Sequence, residues 1–515
     1  MAARPRPVTL AEEAQPEAEQ RVVVHRVELD GAGELLARGH EPAGVEVGAP
    51  ERLANGALVR FELPRALERD DCGVGALGRE QSCPFLERVV GGVGRVVCFH
   101  HGLCDNRRPL TKANVPVPDF LPFRGVRYDT ARLDGGGAPD LSAVVAPPYD
   151  VIDEERRVEL EARHPHNAVR LILPRDERDR DRYQAAAERM AAWRAEGVLA
   201  LDDAPRFYAY EMAFTGDEGR PRRTHGVVGA LDVADEPGEA VLPHERTIPR
   251  AKSDRLALLR ATRANLDPIW CLSLAAGLTR QLADPGTELG SCVDDDGVRH
   301  RVAAIDDPAT ISAVRRNLAS APVVIADGHH RFETARNYLA EQPDDDSAAT
   351  RIMAFVVELT DDELDVSPIH RLLTKLRGAD LRATLDATDA GPNTPEQLAE
   401  LQARMMHEGG LGLVDPIGLA FISRSSVDAV DAAVFDEEIR PRLPAGVEIA
   451  YQNDAHAVTG MVDKGVADAA VLLRPVTVAQ IRDTAFAGAR MPEKTSFFHP
   501  KPRTGMVFRS LDPGE

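Results

Sequence analysis

The sequence predicts a mixed α+β or α/β fold, with a main domain followed by a smaller α/β unit. Two observations predict it. Short apolar runs alternate with helically spaced stretches over residues 117–375, and a second series of such segments follows over residues 376–515. Residues 1–116 differ, because they are rich in Gly, Arg and Glu and only weakly periodic. We predict an atypical N-terminal extension there, with a small extra domain, a disordered arm and translation from upstream of the true start as open alternatives.

The elements of the main domain follow from periodicity and turn residues. Asp153 is expected to cap a helix, and Gly197 to end another. The sequence predicts a strand at Val169–Leu173, a helix at Arg180–Glu196, a hairpin of Phe207–Phe214 with Thr224–Val233, and a second hairpin over Cys292–Ile305. In the smaller unit it predicts helices near 394–408 and 427–438 and strands near 418–423 and 467–473.

Charge and hydropathy narrow the function classes. The 515 residues include 83 acidic and 62 basic side chains, for a formal net charge of −21. Neutralising nucleic-acid phosphates requires a basic field, so this balance argues against a general nucleic-acid surface. The sequence has no apolar run of bilayer length and no apolar signal region near its start. We expect a cytoplasmic protein that binds small molecules; its oligomeric state does not follow from the sequence.

The chain is organised around one polar turn. Val323–Ala326 predicts a buried strand, Asp327-Gly328 ends it, and His329 begins a stretch of helical spacing. A strand, a glycine turn and a helix start together point backbone N–H groups at an anion. We interpret the turn, which also holds His330 and Arg331, as a phosphate-handling or catalytic loop. A capped helix start with solvated polar side chains is the alternative.

Three further polar clusters could join this loop in one site. They are His244, Glu245, Lys252 and Asp254; His370 and Arg371; and Lys494, Thr495, Ser496, His499, Lys501 and Arg503. Such a mixture suits phosphoryl transfer, because cations and N–H groups stabilise phosphoryl charge while a carboxylate deprotonates the attacking hydroxyl.

A metal centre is the rival interpretation of the same clusters. His244, Glu245, Asp327, His329, His330 and His370 could ligate zinc, manganese or iron. Adjacent histidines usually point in different directions, so only one of such a pair serves as a ligand. We assign no protein-bound metal and expect Mg²⁺, because that ion needs only one or two carboxylates when substrate phosphate holds it.

The motifs and their order resemble domain-of-unknown-function family 1015 over roughly residues 118–510. The matching stretches are Pro147-Pro-Tyr-Asp-Val151, His244-Glu-Arg-Thr247 with Lys252 and Asp254-Arg255, Ala326-Asp-Gly-His-His-Arg331, Pro368-Ile-His-Arg371 and Met491-Pro-Glu-Lys-Thr-Ser-Phe-Phe-His-Pro-Lys501. The loop also resembles the phosphate loop of the ParB/sulfiredoxin-like superfamily, which includes free-serine kinases. Sulfiredoxins carry a cysteine in that loop and this chain has none there, which disfavours that branch.

The resemblance implies a ParB/sulfiredoxin-like core and a phosphotransferase of serine biosynthesis. The expected reaction is phosphorylation of a small hydroxyl compound, first of all free L-serine, by a nucleotide or pyrophosphate, or its reverse. Glu245 would be the base and His244 its orienting partner. Asp327, Gly328, His329, His330 and Arg331 would cradle the phosphate. Lys252, Lys494, Lys501, His370 and Arg371 would contact phosphate, and Tyr149 and Asp150 would position substrate. A metal-dependent phosphatase or hydrolase and a ParB-like nucleotide-binding regulator stay open.

Overall fold

In the computed structural model the chain divides into two compact units, Met1–Leu110 and Thr111–Glu515. In the first unit the structure describes three strands, which form an antiparallel sheet. In the second it describes residues 117–515 apart from 134–138, 178, 217–218, 234–239, 244–251, 285, 344–347, 377, 425–427 and 513. None of the helices in these described ranges is long and apolar enough to cross a membrane.

The strands are, in chain order, β1 (Val24–Leu29), β2 (Leu35–Leu36), β3 (Val96–Phe99), β4 (Phe120–Leu121), β5 (Gly125–Tyr128), β6 (Leu199–Leu201), β7 (Phe207–Thr215), β8 (Pro221–Asp232), β9 (Val241–Pro243), β10 (Ala264–Asn265), β11 (Ile269–Ser273), β12 (Thr287–Val293), β13 (Arg299–Ile305), β14 (Val323–Asp327), β15 (Arg351–Glu358), β16 (Asp365–Pro368), β17 (His370–Thr374), β18 (Thr388–Gly391), β19 (Leu411–Asp415), β20 (Gly418–Ile422), β21 (Glu448–Gln452), β22 (Ala469–Leu472), β23 (Ser496–His499) and β24 (Phe508–Ser510).

The α-helices are α1 (Glu154–Arg163), α2 (Val169–Ile172), α3 (Arg182–Ala195), α4 (Lys252–Thr262), α5 (Leu278–Gln281), α6 (Pro308–Leu318), α7 (His329–Leu339), α8 (Leu381–Thr384), α9 (Pro395–Glu408), α10 (Asp431–Val434), α11 (Ala455–Asp463) and α12 (Val478–Phe486). Tyr149–Val151 forms a 3-10 turn, and Phe435–Ile439 forms a π-helical turn. Asp153 caps α1 as expected, by accepting a hydrogen bond from the backbone N–H of Arg156.

A nine-stranded mixed sheet dominates the second unit. Its order is β12-β13-β7-β8-β15-β11-β14-β9, and β4 pairs with β8. The pairs β11–β15 and β14–β9 are parallel, whereas the other pairs are antiparallel. Both predicted hairpins are present, as β7–β8 and β12–β13. The mixed α+β class is therefore confirmed.

The strand expected at Val169–Leu173 is wrong, because Val169–Ile172 forms the short helix α2. The Asn167 side chain accepts a hydrogen bond from the Val169 N–H and so starts the helical turn. Val169, Leu171 and Ile172 are all fully buried. A short apolar run that is buried on every side has the same hydrophobic pattern in a strand and in a helix, so periodicity cannot separate the two.

A six-stranded sheet of order β18-β20-β19-β22-β17-β21 follows along the chain. The C-terminal residues beyond it return to the first part of the unit. There β23 pairs with β16, β24 pairs with β5 and β10, and Thr504 forms a bridge with Ala146. This return places residues 496–504 beside Tyr149 and the end of β14.

Candidate functional site

The polar turn after β14 has the predicted geometry. Gly328 lies between β14 and α7 with φ at +94°, in the left-handed region. A Cβ there would lie 3.0 Å from Ile269 Cγ2 and 3.1 Å from the Arg331 guanidinium, so glycine is favoured on both grounds. Gly328 O accepts the first helical bond of α7, from the Phe332 N–H at 3.0 Å. The backbone N–H groups of the first turn therefore have no acceptor within the helix and suit an anion.

Four charged side chains form a chain of ion pairs beside this helix start. Lys501 Nζ lies 3.0 Å from Asp150 Oδ2 and 3.0 Å from Asp327 Oδ1. Arg331 donates from Nη2 to Asp327 Oδ2 at 2.6 Å and from Nη1 to the Pro268 carbonyl. The cluster therefore joins the end of β14, the 3-10 turn after the two prolines and the C-terminal segment.

These neighbours fix the charge states. Burial alone would raise the pKa of Asp327, but Lys501 and Arg331 outweigh burial and hold that pKa well below its ordinary value. For Lys501, burial alone would lower the pKa, whereas Asp327 and Asp150 raise it above its ordinary value. At neutral pH the Asp327 carboxylate is therefore ionised and the Lys501 ammonium is protonated.

The four side chains border a cavity of about 150 Å³. Among the described residues its lining is Tyr149, Asp150, Ala326, Asp327, Gly328, His329, His330, Arg331, Ile369, Glu493, Lys494, Ser496, Phe497, Phe498 and Lys501. Ten residues that the sequence singled out therefore converge: Tyr149, Asp150, the five residues from Asp327 to Arg331, Lys494, Ser496 and Lys501. Their roles stay predictions.

His370 and Arg371 do not line the cavity. The His370 ring is buried, and its Nδ1 accepts a hydrogen bond from the Leu473 N–H at 3.1 Å. Burial lowers the pKa of His370 to about 4, so the ring is neutral at pH 7. Arg371 is also buried and donates to the carbonyls of Ile369 and Lys494. Both side chains are thus engaged in contacts within the protein, and their role as phosphate contacts stays a prediction.

Two further predicted residues, His244 and Glu245, lie outside the described residues, as does the side chain of Lys252. The roles of base, orienting partner and phosphate contact assigned to them therefore stay predictions. Of the same cluster, Asp254 is described, and it pairs with Arg255 and accepts a hydrogen bond from the Tyr183 hydroxyl at 2.8 Å.

Arg255 packs against the Tyr149 ring. Its guanidinium lies 4.3 Å from the centroid of the Tyr149 ring, and Nη1 donates to the Ile172 carbonyl at 2.8 Å. The planar guanidinium thus stacks on the aromatic face and fixes it beside the cavity. Burial raises the pKa of Tyr149, so its hydroxyl keeps its proton and can donate a hydrogen bond to a ligand.

Sequence reasoning missed Glu493 and Asp267. Glu493 lines the cavity, and its only signal was its place in the C-terminal motif. Asp267 accepts a hydrogen bond from the Thr504 hydroxyl, and burial raises the pKa of its carboxyl although Arg331 opposes the rise. A single Asp before Pro268 has no local pattern, and only the fold brings it to Arg331.

Among the described residues, no group of three or more His, Cys, Asp or Glu side chains is arranged to hold a metal ion. Asp150 and Asp327 together provide carboxylate oxygens at the cavity. That donor set fits Mg²⁺ held mainly by substrate phosphate.

Comparison with solved structures finds likenesses of low overall similarity. A conserved hypothetical protein from Pyrococcus furiosus is 12% identical, over 56% of this chain and 95% of its own, with a TM-score of 0.30. A free serine kinase in complex with AMP is 12% identical, over 55% and 91%, with a TM-score of 0.32. C-terminally truncated SbnI from Staphylococcus aureus is 10% identical, over 56% and 90%, with a TM-score of 0.33. Likenesses of this size carry no argument about function.

No curated protein matches the chain. A family model does match, over residues 120–434, and that range includes the polar turn, Tyr149, Asp150 and the His370-Arg371 pair. The match covers more than half of the sequence, and the C-terminal motif from Met491 to Lys501 lies outside it. The chain belongs to the DUF1015 family, which is described as a protein of unknown function.

Proposed function

We propose that this protein is a small-molecule phosphotransferase that moves a phosphoryl group from a nucleotide or pyrophosphate to a hydroxyl compound, with free L-serine as the first candidate acceptor. One observation carries the proposal: the ion-pair chain Asp150–Lys501–Asp327–Arg331 borders a small cavity at the N-terminus of α7. Backbone N–H groups, cations and carboxylates in one cavity are the components that phosphoryl transfer requires.

In this proposal different groups of the chain bind the ligand's anionic groups, face the transferred group and position the acceptor. The first turn of α7 binds phosphate oxygens, and Lys494 binds an anionic group of one of the two ligands. Lys501 lies between two carboxylates, so its ammonium is held in place and stays protonated while it faces the transferred group. Tyr149 positions the acceptor. Mg²⁺, held by Asp150 or Asp327 and the donor, would neutralise phosphate charge.

The test is phosphorus NMR on the purified 515-residue chain with Mg²⁺ and L-serine. ATP, ADP and pyrophosphate are offered separately, and O-phosphoserine is offered alone. We expect an O-phosphoserine signal with one of the three donors and none when serine is omitted. Phosphate released from O-phosphoserine alone would indicate a phosphatase instead. No product in any sample would remove serine as the acceptor.

The identity of the base can be tested with two matched substitutions. Glu245 is the base expected from the sequence, whereas Glu493 is the glutamate that lines the described cavity. Glu245→Gln and Glu493→Gln remove the same charge with little change in volume. Loss of a general base costs roughly 10²- to 10⁴-fold in turnover, so we expect Glu245→Gln to show that loss and Glu493→Gln to change turnover much less. The opposite result would assign the base to Glu493.

A further inference from the structure

Lys494 has an unusual backbone at the edge of the cavity. Its φ is +58°, in the left-handed region that side-chain-bearing residues rarely adopt. The residue is exposed and lines the cavity. Among the described residues, no carboxylate lies within ion-pair distance of its ammonium. A strained cation facing a cavity persists only where its surroundings impose that conformation.

Arg371 imposes it. The Arg371 guanidinium donates from Nη1 to the Lys494 carbonyl at 3.0 Å and to the Ile369 carbonyl at 2.6 Å. It also lies 5.0 Å from the centroid of the Tyr451 ring and 5.5 Å from that of Phe435. Only 2% of Arg371 is exposed, so the group has a fixed position. Arg371 and Tyr451 belong to adjacent strands of the six-stranded sheet, β17 and β21.

We propose that Arg371 is a positioning residue: it holds the Lys494 turn so that the Lys494 ammonium binds an anionic group of the ligand in the cavity. This inference rests on the proposed phosphotransferase function and assigns Arg371 a role other than the phosphate contact expected from the sequence. The six-stranded sheet then contributes to the site indirectly, through one carbonyl. The anionic group is a phosphate of the donor or the carboxylate of the acceptor.

The physical argument is one of preorganisation. Without the donation to its carbonyl, the Lys494 turn relaxes from the left-handed region and its ammonium leaves the place where it meets the ligand. Arg371 itself does not line the cavity, so we expect its loss to act on the ligand mainly through the Lys494 turn, with a smaller effect through Ile369, whose carbonyl it also holds and which lines the cavity. The effects of changing the two residues must therefore be strongly non-additive.

The experiment is a double-mutant cycle with Lys494→Met, Arg371→Lys and the double variant. Inorganic pyrophosphate and L-serine are titrated separately by calorimetry, and unfolding is followed in parallel. Lysine keeps the charge of Arg371 but loses the planar stacking and the fixed donor geometry. We expect both single variants to weaken one of the two ligands about tenfold, as loss of a charge-assisted hydrogen bond does, and the double variant to be no weaker than Lys494→Met. The ligand that is weakened identifies the anionic group.

A second variant covers the case in which Arg371→Lys does not fold. Tyr451→Leu removes one aromatic neighbour of the guanidinium from a residue that is 42% exposed. We expect it to weaken the same ligand about threefold in the native background, as partial loss of a cation–π contact would, and not at all beside Lys494→Met. Additive losses, unchanged affinity in Arg371→Lys, or no binding of either ligand to the native protein would overturn the inference.

The readout separates this inference from the proposed function, because calorimetry requires no turnover. Coupled losses of binding in a protein that forms no O-phosphoserine would support Arg371 as a positioning residue and reject the serine kinase. Turnover with additive losses would do the reverse.

Discussion

Lys501 and Arg503 lie two residues apart on the same C-terminal segment, yet they join different kinds of cluster. Lys501 pairs with Asp150 and Asp327, whose side chains are 42% and 25% exposed. Arg503 pairs most closely with Asp294, whose side chain is 6% exposed, and more distantly, at 3.9 Å, with the exposed Asp296. From sequence both cations belong to one polar cluster. Their nearest partners differ in access to solvent, and we infer that this difference separates a site that can meet a ligand from a cluster that supports the fold.

Arg503 belongs to a buried cluster with Asp294, His300 and Tyr210, whose members contact one another. The His300 ring lies between Tyr210 and Asp294, with Nδ1 2.8 Å from the tyrosine oxygen and Nε2 3.0 Å from Asp294 Oδ2. The Tyr210 oxygen also accepts the Arg503 backbone N–H at 3.0 Å. A network of this kind fixes the segment in place, because each member is held by another. We infer that it supports the position of Lys501 without taking part in chemistry.

The largest expected effect comes from comparing two aspartates. Asp327→Asn removes the carboxylate that holds both Lys501 and Arg331, so we expect turnover to fall roughly 10²- to 10³-fold with the fold retained. Asp294→Asn leaves Arg503 without its buried partner, so we expect the free energy of unfolding to fall by about 3 kcal/mol while turnover per folded molecule is unchanged. Turnover by phosphorus NMR and unfolding by urea measure the two quantities separately.

The distinction between the two clusters is wrong if Asp294→Asn loses turnover or if Asp327→Asn keeps it. Loss of turnover in Asp294→Asn without loss of stability would mean that the buried network takes part in the reaction. Native turnover in Asp327→Asn would remove the ion-pair chain from the site.

The polar turn could be predicted from sequence because all its signals are local. The apolar run, the glycine and the helical spacing lie within a few residues of one another, and the structure has β14, Gly328 and α7 there. The contrast between Lys501 and Arg503 could not be predicted. It depends on Asp294 and His300, about 200 residues earlier in the chain, and on how the β12–β13 hairpin is buried.

His370 is another residue whose surroundings could not be predicted from the sequence. Two residues after a proline and next to an arginine, it has the pattern of a site residue, but tertiary packing places its ring against the Leu473 N–H inside the six-stranded sheet. Local sequence records residue type and spacing, whereas burial depends on which strands pair. For that reason residue type and spacing predicted the polar turn, whereas they did not predict that His370 and Arg371 lie outside the cavity lining.

A pH experiment tests whether His370 is structural. In the unfolded chain its pKa has the ordinary value of 6.5, and burial lowers it to about 4 in the fold. As the pH falls below 6.5, the unfolded chain binds a proton that the folded chain refuses, so stability is lost down to about pH 4. The shift corresponds to about 3 kcal/mol. His370→Asn keeps an acceptor for the Leu473 N–H but does not titrate.

We therefore expect His370→Asn to lose less stability than the native protein between pH 6.5 and pH 4, as measured by urea unfolding across that range. Affinity for pyrophosphate at pH 7 should be unchanged, because the ring does not line the cavity. A weakened pyrophosphate affinity with an unchanged pH dependence of stability would return His370 to the site.

The smallest expected effect comes from comparing two glycines. It separates steric crowding at the cavity from the strain of a left-handed backbone. Gly328 and Gly297 both have positive φ, +94° and +77°, but a Cβ at Gly297 would meet nothing within 4 Å, whereas one at Gly328 would approach Ile269 and Arg331. Alanine at either position should cost about 1 to 2 kcal/mol in unfolding free energy through the left-handed backbone. Only Gly328→Ala should also weaken pyrophosphate binding, because its methyl group displaces Arg331 from Asp327. Equal binding by the two variants in calorimetry would mean that the cavity tolerates a shifted Arg331, and the guanidinium would then belong with the supporting groups, as Arg503 does.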